Sequence, residues 1–285
     1  MTVLGIDIGR TKLAAGIVET SGNILARGEV PTLAAEGPER VLHRLIQLAE
    51  DVLAAPRVSG HTIQRIGIAC AGPVDRQAGL ILNPPNLPGW VRVPLVDRIE
   101  KALGRPAVLE NDANAAALGE FRYGAGRGAT RLVYMTVSTG IGSGIILDGK
   151  IWHDVKDGAG EVGHITLLPD GPICGCGNRG CLEALASGPS IARRAREALA
   201  TERPSRLRQA GDLTAADVAR LAQEGDVIAA EVWDETVRFL GLGVAAIVTI
   251  LAPERVVIGG GVTRAGTFCS IPCDVKSGAA SSWSR

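Results

Sequence analysis

Two stretches of this chain share one plan, and that plan restricts the fold more than any other feature. Residues 3–8 form an apolar run that carries Asp7 near its end and breaks at Gly9-Arg10-Thr11-Lys12, after which residues 13–18 read as a second strand. Far downstream, residues 131–137 run into Ser138-Thr139-Gly140-Ile141-Gly142-Ser143-Gly144, and residues 144–147 read as the return strand. A buried strand, a polar glycine turn and a returning strand therefore occur twice. Further strands are expected at 24–30, 66–70, 107–110 and 255–258. Helices are expected at 38–53, 94–103, 113–121, 189–200, 215–224 and 227–251, and residues 76–93 read as turns. Strands followed by alternating helix and strand imply α/β layers on mixed sheets. The expected division is an N-terminal α/β lobe at 1–112, a larger α/β lobe with a cysteine knuckle at 113–266, and an atypical tail at 267–285.

Composition narrows the partners. The 285 residues hold 30 basic and 30 acidic side chains, so the net charge is zero. That balance argues against long-range attraction to nucleic acid or to anionic lipid. The N-terminus has no basic stretch and no long apolar run, so it does not read as a signal peptide. The longest uncharged apolar run, residues 239–252, is 14 residues. As a helix it would span about 21 Å, short of a bilayer core, and it reads as a buried helix. The expectation is a soluble, cytoplasmic protein with neither nucleic acid nor membrane as partner. Glycine, 37 of 285 residues, is about twice its usual share. Aromatics are 3%, so the core must come from Ala, Val, Ile and Leu.

Five constellations carry chemistry. Asp7 with Gly9, Thr11 and Lys12 offers a carboxylate, backbone N–H groups, a hydroxyl and an ammonium, which suits a metal-bound polyphosphate. Thr139 and Gly140, in the second glycine turn, let backbone approach a phosphate closely. Glu110-Asn111-Asp112 stands where a strand ends and a helix begins; Asp112 there can take a proton from a substrate hydroxyl, and either Asn111 or Asp112 can cap the helix. Glu161-Val162-Gly163-His164 precedes Cys174-Gly175-Cys176-Gly177-Asn178-Arg179-Gly180-Cys181-Leu182-Glu183. His164 with Cys174, Cys176 and Cys181 makes a closed Cys₃His set for a structural Zn²⁺. Glu161 and Glu183 flank the knuckle and offer carboxylates to sugar hydroxyls. Finally, residues 256–258 run into Gly259-Gly260-Gly261, a flat surface for adenine or ribose. His43, His61 and His153 show no partners in sequence and read as surface or structural.

These motifs, in this order, resemble the ROK family (repressors, open reading frames, kinases) over residues 5 to about 266. The Cys-x-Cys-Gly-x-x-Gly-Cys-x-Glu run at 174–183 is the most specific element of the likeness. The resemblance implies the two-lobed actin/hexokinase/Hsp70-like ATPase fold with ribonuclease H-like lobes. It implies ATP between the lobes, with Mg²⁺ near Asp7, the phosphates against Gly9, Thr11, Lys12, Thr139 and Gly140, and the nucleoside near Gly260. It implies a hexose held by Gly72, Asn111, Asp112, Glu161, His164 and Glu183, with Asp112 as general base and one ring nitrogen of His164 on zinc. The activity implied is phosphorylation of a hexose, above all glucose to glucose 6-phosphate, by an enzyme that forms a dimer or tetramer. The alternatives are a sugar-binding protein of impaired catalysis, a kinase for fructose, mannose, allose or N-acetylmannosamine, polyphosphate as donor, and a transcriptional repressor; Asp7 at the very start and the zero net charge argue against the last. Two departures stand out. Arg10 occupies a position where the family has Gly, and a positive φ there would cost about 1 kcal/mol. Residues 267–285 lack helix or strand period, so this end is expected to be altered and ATP binding weakened.

Overall fold

The computed structural model describes residues 1–84, 87–153 and 158–265. The expectation for the altered C-terminal tail falls outside the described residues. Two compact units make up the rest. One holds Met1–Ala115 together with His153; the other holds Ala116–Trp152 and the described residues from Gly158 on.

The first unit is built on β1 (Thr2–Ile8), β2 (Lys12–Glu19), β3 (Ile24–Pro31), β4 (Ile63–Cys70) and β8 (Ala107–Asn111), in the order β3-β2-β1-β4-β8. The alternation of apolar residues sets the sheet: Leu4, Ile6 and Ile8 turn to one face of β1 and are buried. The first three strands are antiparallel, and β4 and β8 run parallel to β1. Helix α1 (Pro38–Leu53) lays Val41, Leu42, Leu45, Leu48, Ala49 and Val52 into this core, a 3.6-residue stripe. Helix α2 (Leu95–Leu103) adds Leu95, Ile99 and Leu103 and ends at Gly104 in the left-handed conformation that closes so many helices. Between β4 and α2, where the sequence suggests only turns, β5 (Val74–Asp75), β6 (Leu80–Ile81) and β7 (Val93–Pro94) form a small antiparallel sheet. Strands of two residues are too short to show a period of two. Helix α3 (Asp112–Tyr123) begins in this unit and continues into the second.

The second unit is built on β9 (Leu132–Val137), β10 (Ile141–Leu147), β11 (Lys150–Ile151) and β12 (Arg255–Gly259), in the order β11-β10-β9-β12. Here β10 is antiparallel to β9 and β12 is parallel to it. The sequence echo is thus a topological one: β2-β1-β4 and β10-β9-β12 are the same three-strand arrangement. Four helices lie between β11 and β12 in the chain: α4 (Leu182–Ala186), α5 (Gly188–Ala198), α6 (Ala215–Gln223) and α7 (Val227–Leu251). The short α4 is not legible in the sequence. Thr214 and Asp217 form a capping box at α6, and Asp226 caps α7 by accepting the Ala229 N–H at 3.0 Å. Helix α7 buries Trp233, Phe239, Leu240, Val244 and Ile247 but leaves Leu242 and Ile250 exposed. The apolar 239–252 run is therefore buried along one face only, not all round. Among the described residues no helix is long and apolar enough to cross a membrane.

Candidate functional site

Parallel pairing brings three strand ends of the first unit level. Ile8 stands opposite Cys70, and Cys70 opposite Asn111. Asp7, Cys70 and the Asn111-Asp112 pair therefore emerge at one edge, the carboxyl edge, where open α/β sheets bind ligands. The turn after Asp7 is held by its own backbone. Gly9 N donates to Lys12 O at 3.0 Å, Thr32 Oγ1 donates to Gly9 O at 2.7 Å, and Thr32 N donates to Thr11 O at 3.0 Å. Lys12 Nζ lies 3.1 Å from Glu29 Oε2, an exposed pair that a phosphate can displace at little cost. Arg10 is exposed and is not among the non-glycine residues with positive φ, which are Leu33, Arg92, Asp148 and Ala252. The position does not take the positive φ that would have strained it.

At the β8–α3 corner, Asn111 caps the helix. Its Oδ1 accepts the N–H groups of Ala113 (2.9 Å) and Asn114 (3.3 Å). That leaves the Nδ2 group, and a Cβ on Gly72 would lie 3.1 Å from it, so Gly72 sits directly against the carboxamide. Asp112 Oδ1 accepts the Ala113 N–H at 2.8 Å. Burial raises the Asp112 pKa, against the opposing pull of that N–H. Burial also raises Asp7, the Asp112 charge raises it further, and Lys12 pulls it back. The charge of one carboxylate thus bears on the other, and two acidic groups at one strand edge can serve a divalent cation. The Cys70 thiol, buried beside both, is likewise pushed up, first by burial and then by the two charges.

In the second unit the β9–β10 turn is clamped at two points. Gly188 N donates to Ser138 O at 2.8 Å, and Ile141 N donates to Glu183 Oε2 at 2.9 Å. Thr139 is exposed at this turn, and a Cβ on Gly140 would meet Glu183 Oε2 at 2.6 Å. Glu183 thus spends one oxygen on the turn, a role the sequence does not reveal. Gly260 follows β12 at φ +103°, and a Cβ there would lie 2.4 Å from Val137 O. Only glycine can leave β12 so close to the end of β9. Thr139, Gly140 and Gly260 therefore share one end of the second sheet.

The knuckle beside it has almost no regular structure. Backbone bonds from Cys174 N to Asn178 O (2.7 Å) and from Gly177 N to Cys174 O (2.9 Å) fold it. His164, Cys174, Cys176 and Cys181 bring one ligand atom each within 4.8 Å of all the others. Cys174 Sγ is 3.7 Å from His164 Nδ1, and Cys176 Sγ is 3.7 Å from Cys181 Sγ. With Zn–S bonds of 2.3 Å a tetrahedron has edges of about 3.8 Å, so the donor set and its spacing fit Zn²⁺. Burial pushes the Cys181 thiol up to about 12, while the Asn178 N–H pulls Cys176 down. A dication would offset the cost of ionising all three. His164 Nδ1 faces the thiols, and its Nε2 lies 3.7 Å from Glu161 Oε2, whose side chain is mostly exposed. Cys181 is also the N-cap residue of α4, so a metal held by this set would anchor the helix that carries Glu183.

One cluster escapes the sequence reading. Glu110 Oε1 accepts the N–H of Asn111 (2.9 Å) and Asn114 Nδ2 (3.0 Å), and its Oε2 lies 2.8 Å from His153 Nε2. His153, which reads from the sequence as surface or structural, has a partner 43 positions away, and no local pattern signals such a pair.

A model of the ROK family matches residues 3–283, past the point near residue 266 where the motif resemblance stops. A glucokinase of Thermotoga maritima is 40% identical over 281 residues, 97% of this chain and 87% of its own. A ROK hexokinase from Thermus thermophilus is 42% identical with a TM-score of 0.79, over 92% of this chain and 82% of its own. A ROK family glucokinase from Streptomyces griseus, solved in complex with glucose and AMPPNP, is 34% identical with a TM-score of 0.81, over 94% and 86%.

Proposed function

The chain belongs to the ROK family and has its actin/hexokinase-like α/β fold, and from that premise we propose that it transfers the γ-phosphoryl group of ATP to the 6-hydroxyl of glucose. The observation that carries the reading is the level ending of β1, β4 and β8, which gathers Asp7, Asn111 and Asp112 at one edge.

The attacking group is the sugar hydroxyl. Asp112 accepts its proton on the oxygen not bonded to Ala113, while Asn111 Nδ2, its Oδ1 occupied by the helix cap, donates to the sugar. As the hydroxyl oxygen bonds to the γ-phosphorus, the bond to the bridging β–γ oxygen breaks and ADP leaves in line. The raised pKa of Asp112 makes it a better proton acceptor than an ordinary aspartate once ionised. Gly9 and Thr11, with Lys12 released from Glu29, and Thr139 with Gly140 would hold phosphate oxygens; Gly260 would flank the nucleoside. Glu161, His164 Nε2 and the free oxygen of Glu183 would take further sugar hydroxyls. Mg²⁺, when bound, neutralises charge on the phosphates, and Asp7 would face it. Zn²⁺ at His164, Cys174, Cys176 and Cys181 would leave no open position and would act by holding His164 and α4 in place.

The test is ADP release with ATP, Mg²⁺ and a panel of glucose, mannose, fructose, allose and N-acetylmannosamine. Turnover with glucose at the highest kcat/KM is expected. Turnover confined to another sugar would reassign the substrate, and turnover with none would remove the kinase reading.

A further inference from the structure

We propose that Glu110 is a positioning residue for Asp112 and that His153 holds it in that role; the inference rests on the kinase reading above. Glu110 is the residue before the Asn111-Asp112 pair, yet most of its acceptor capacity is spent inside the protein. Oε1 takes two N–H groups, from Asn111 and from Asn114 Nδ2. Oε2 takes His153 Nε2 at 2.8 Å and has Arg76 Nε at 3.9 Å. A carboxylate oxygen only accepts, so the Nε2 of His153 donates.

The two bonds on Oε1 tie the last strand residue to the first turn of α3, with Asp112 between them. Asp112 is oriented through the backbone N–H of Ala113. Its direction therefore follows the start of the helix, and Glu110 fixes that start. Asn114 is 4% exposed and its Oδ1 has no partner. The bond from its Nδ2 to Glu110 is thus what satisfies that side chain in a buried place, and moving Glu110 would strand a second polar atom.

His153 reaches Glu110 by an unusual route. The chain leaves the first unit after Ala115, forms β9, β10 and β11, and returns to it at His153. The imidazole and the carboxylate are 24% and 20% exposed, partly shielded from water, so the bond is worth more than a surface pair. The proposed catalytic corner is thereby secured, within one unit, by a residue from far along the chain, and a shift of the base by even 1 Å can cost about a hundredfold in rate.

The experiment compares the full-length unaltered chain with His153→Ala, His153→Gln, Glu110→Gln and the double variant His153→Ala/Glu110→Gln. Steady-state kinetics with glucose and ATP are read beside glucose affinity from calorimetry. His153→Ala should lower kcat about tenfold while glucose affinity and the KM for ATP stay within about threefold. His153→Gln, which keeps a side-chain N–H donor, should recover most of the loss. The double variant should be no slower than Glu110→Gln alone, because His153 acts through Glu110. Unchanged kcat in His153→Ala, a loss confined to melting temperature and KM, or losses that multiply in the double variant would each overturn the positioning role. These outcomes presuppose glucose turnover by the unaltered chain; no turnover there would instead sink the kinase reading, and this proposal with it.

Discussion

The β8–α3 corner and the cysteine knuckle hold functional side chains by opposite means. At the corner, regular structure does the positioning: a buried strand stops, a helix starts, and Asn111 caps it with a side chain that also faces the ligand edge. At the knuckle the backbone has almost no strand or helix, and a handful of turn bonds hold it. Its geometry comes from four donors that converge on one point. The comparison teaches that the proposed base can inherit its direction from secondary structure, whereas the proposed sugar ligands on irregular chain would need metal-ligand chemistry to hold theirs. The consequence is a difference in how each region fails: one gradually, one all at once.

The largest break in that comparison should come from the metal ligands. Cys181→Ala, or removal of metal by a strong chelator, should cost several kcal/mol, since structural zinc sites contribute folding energy outright. Calorimetric melting and hydrogen exchange should show the loss concentrated in 160–190, with β1, β4 and β8 little changed. Uniform loss of protection across both units would contradict the separation. Next comes Asp112→Asn. It should lower kcat about a thousandfold, as for a missing general base, with glucose affinity within about threefold.

The same variant sharpens the comparison through pH. Burial raises the folded pKa of Asp112 above its ordinary 3.8. Below 3.8 the group is protonated folded or unfolded and costs nothing. Between 3.8 and the folded pKa the unfolded chain releases its proton first, so stability is lost as pH rises through that window. Apoprotein melting temperature should therefore fall with pH across this window less steeply in Asp112→Asn than in the unaltered chain. The acid limb of kcat/KM should likewise lie above 3.8. A limb at or below that value would deny that burial governs the base. A smaller effect is expected of Asn111→Ala, about 1 kcal/mol of stability from the lost cap, together with weaker glucose binding. The smallest in stability is Lys12→Ala: its exposed pair with Glu29 is worth about 1 kcal/mol at most, so the KM for ATP should rise with little change in melting.

Legibility in the sequence follows the range of the interactions. Helices α1 and α7 are readable to the residue, because a 3.6-residue stripe closed by Pro38 at one start and capped by Asp226 at the other is a local signal. The knuckle is readable because thiols that crowd between glycines have few other uses. The two glycine turns are readable because strand, glycine and polar residue sit in one short window. What stays hidden is long-range or too short to have a period. Glu183 shows as a carboxylate beside the knuckle, but its bond to Ile141 N spans 42 positions. His153 and Glu110 meet only because the chain returns to the first unit after a hairpin. The two-residue strands β5, β6 and β7 and the five-residue α4 carry no pattern of their own.

The central claim is that Asp112 is the base of an ATP-dependent glucose kinase. The direct measurement is phosphorus NMR of ATP, Mg²⁺ and glucose incubated with the unaltered chain and with Asp112→Asn, beside calorimetric glucose binding to both. The account predicts glucose 6-phosphate and ADP from the unaltered chain, and no sugar phosphate on the same timescale from a variant that still binds glucose. Glucose 6-phosphate formed at equal rates by both proteins would contradict it.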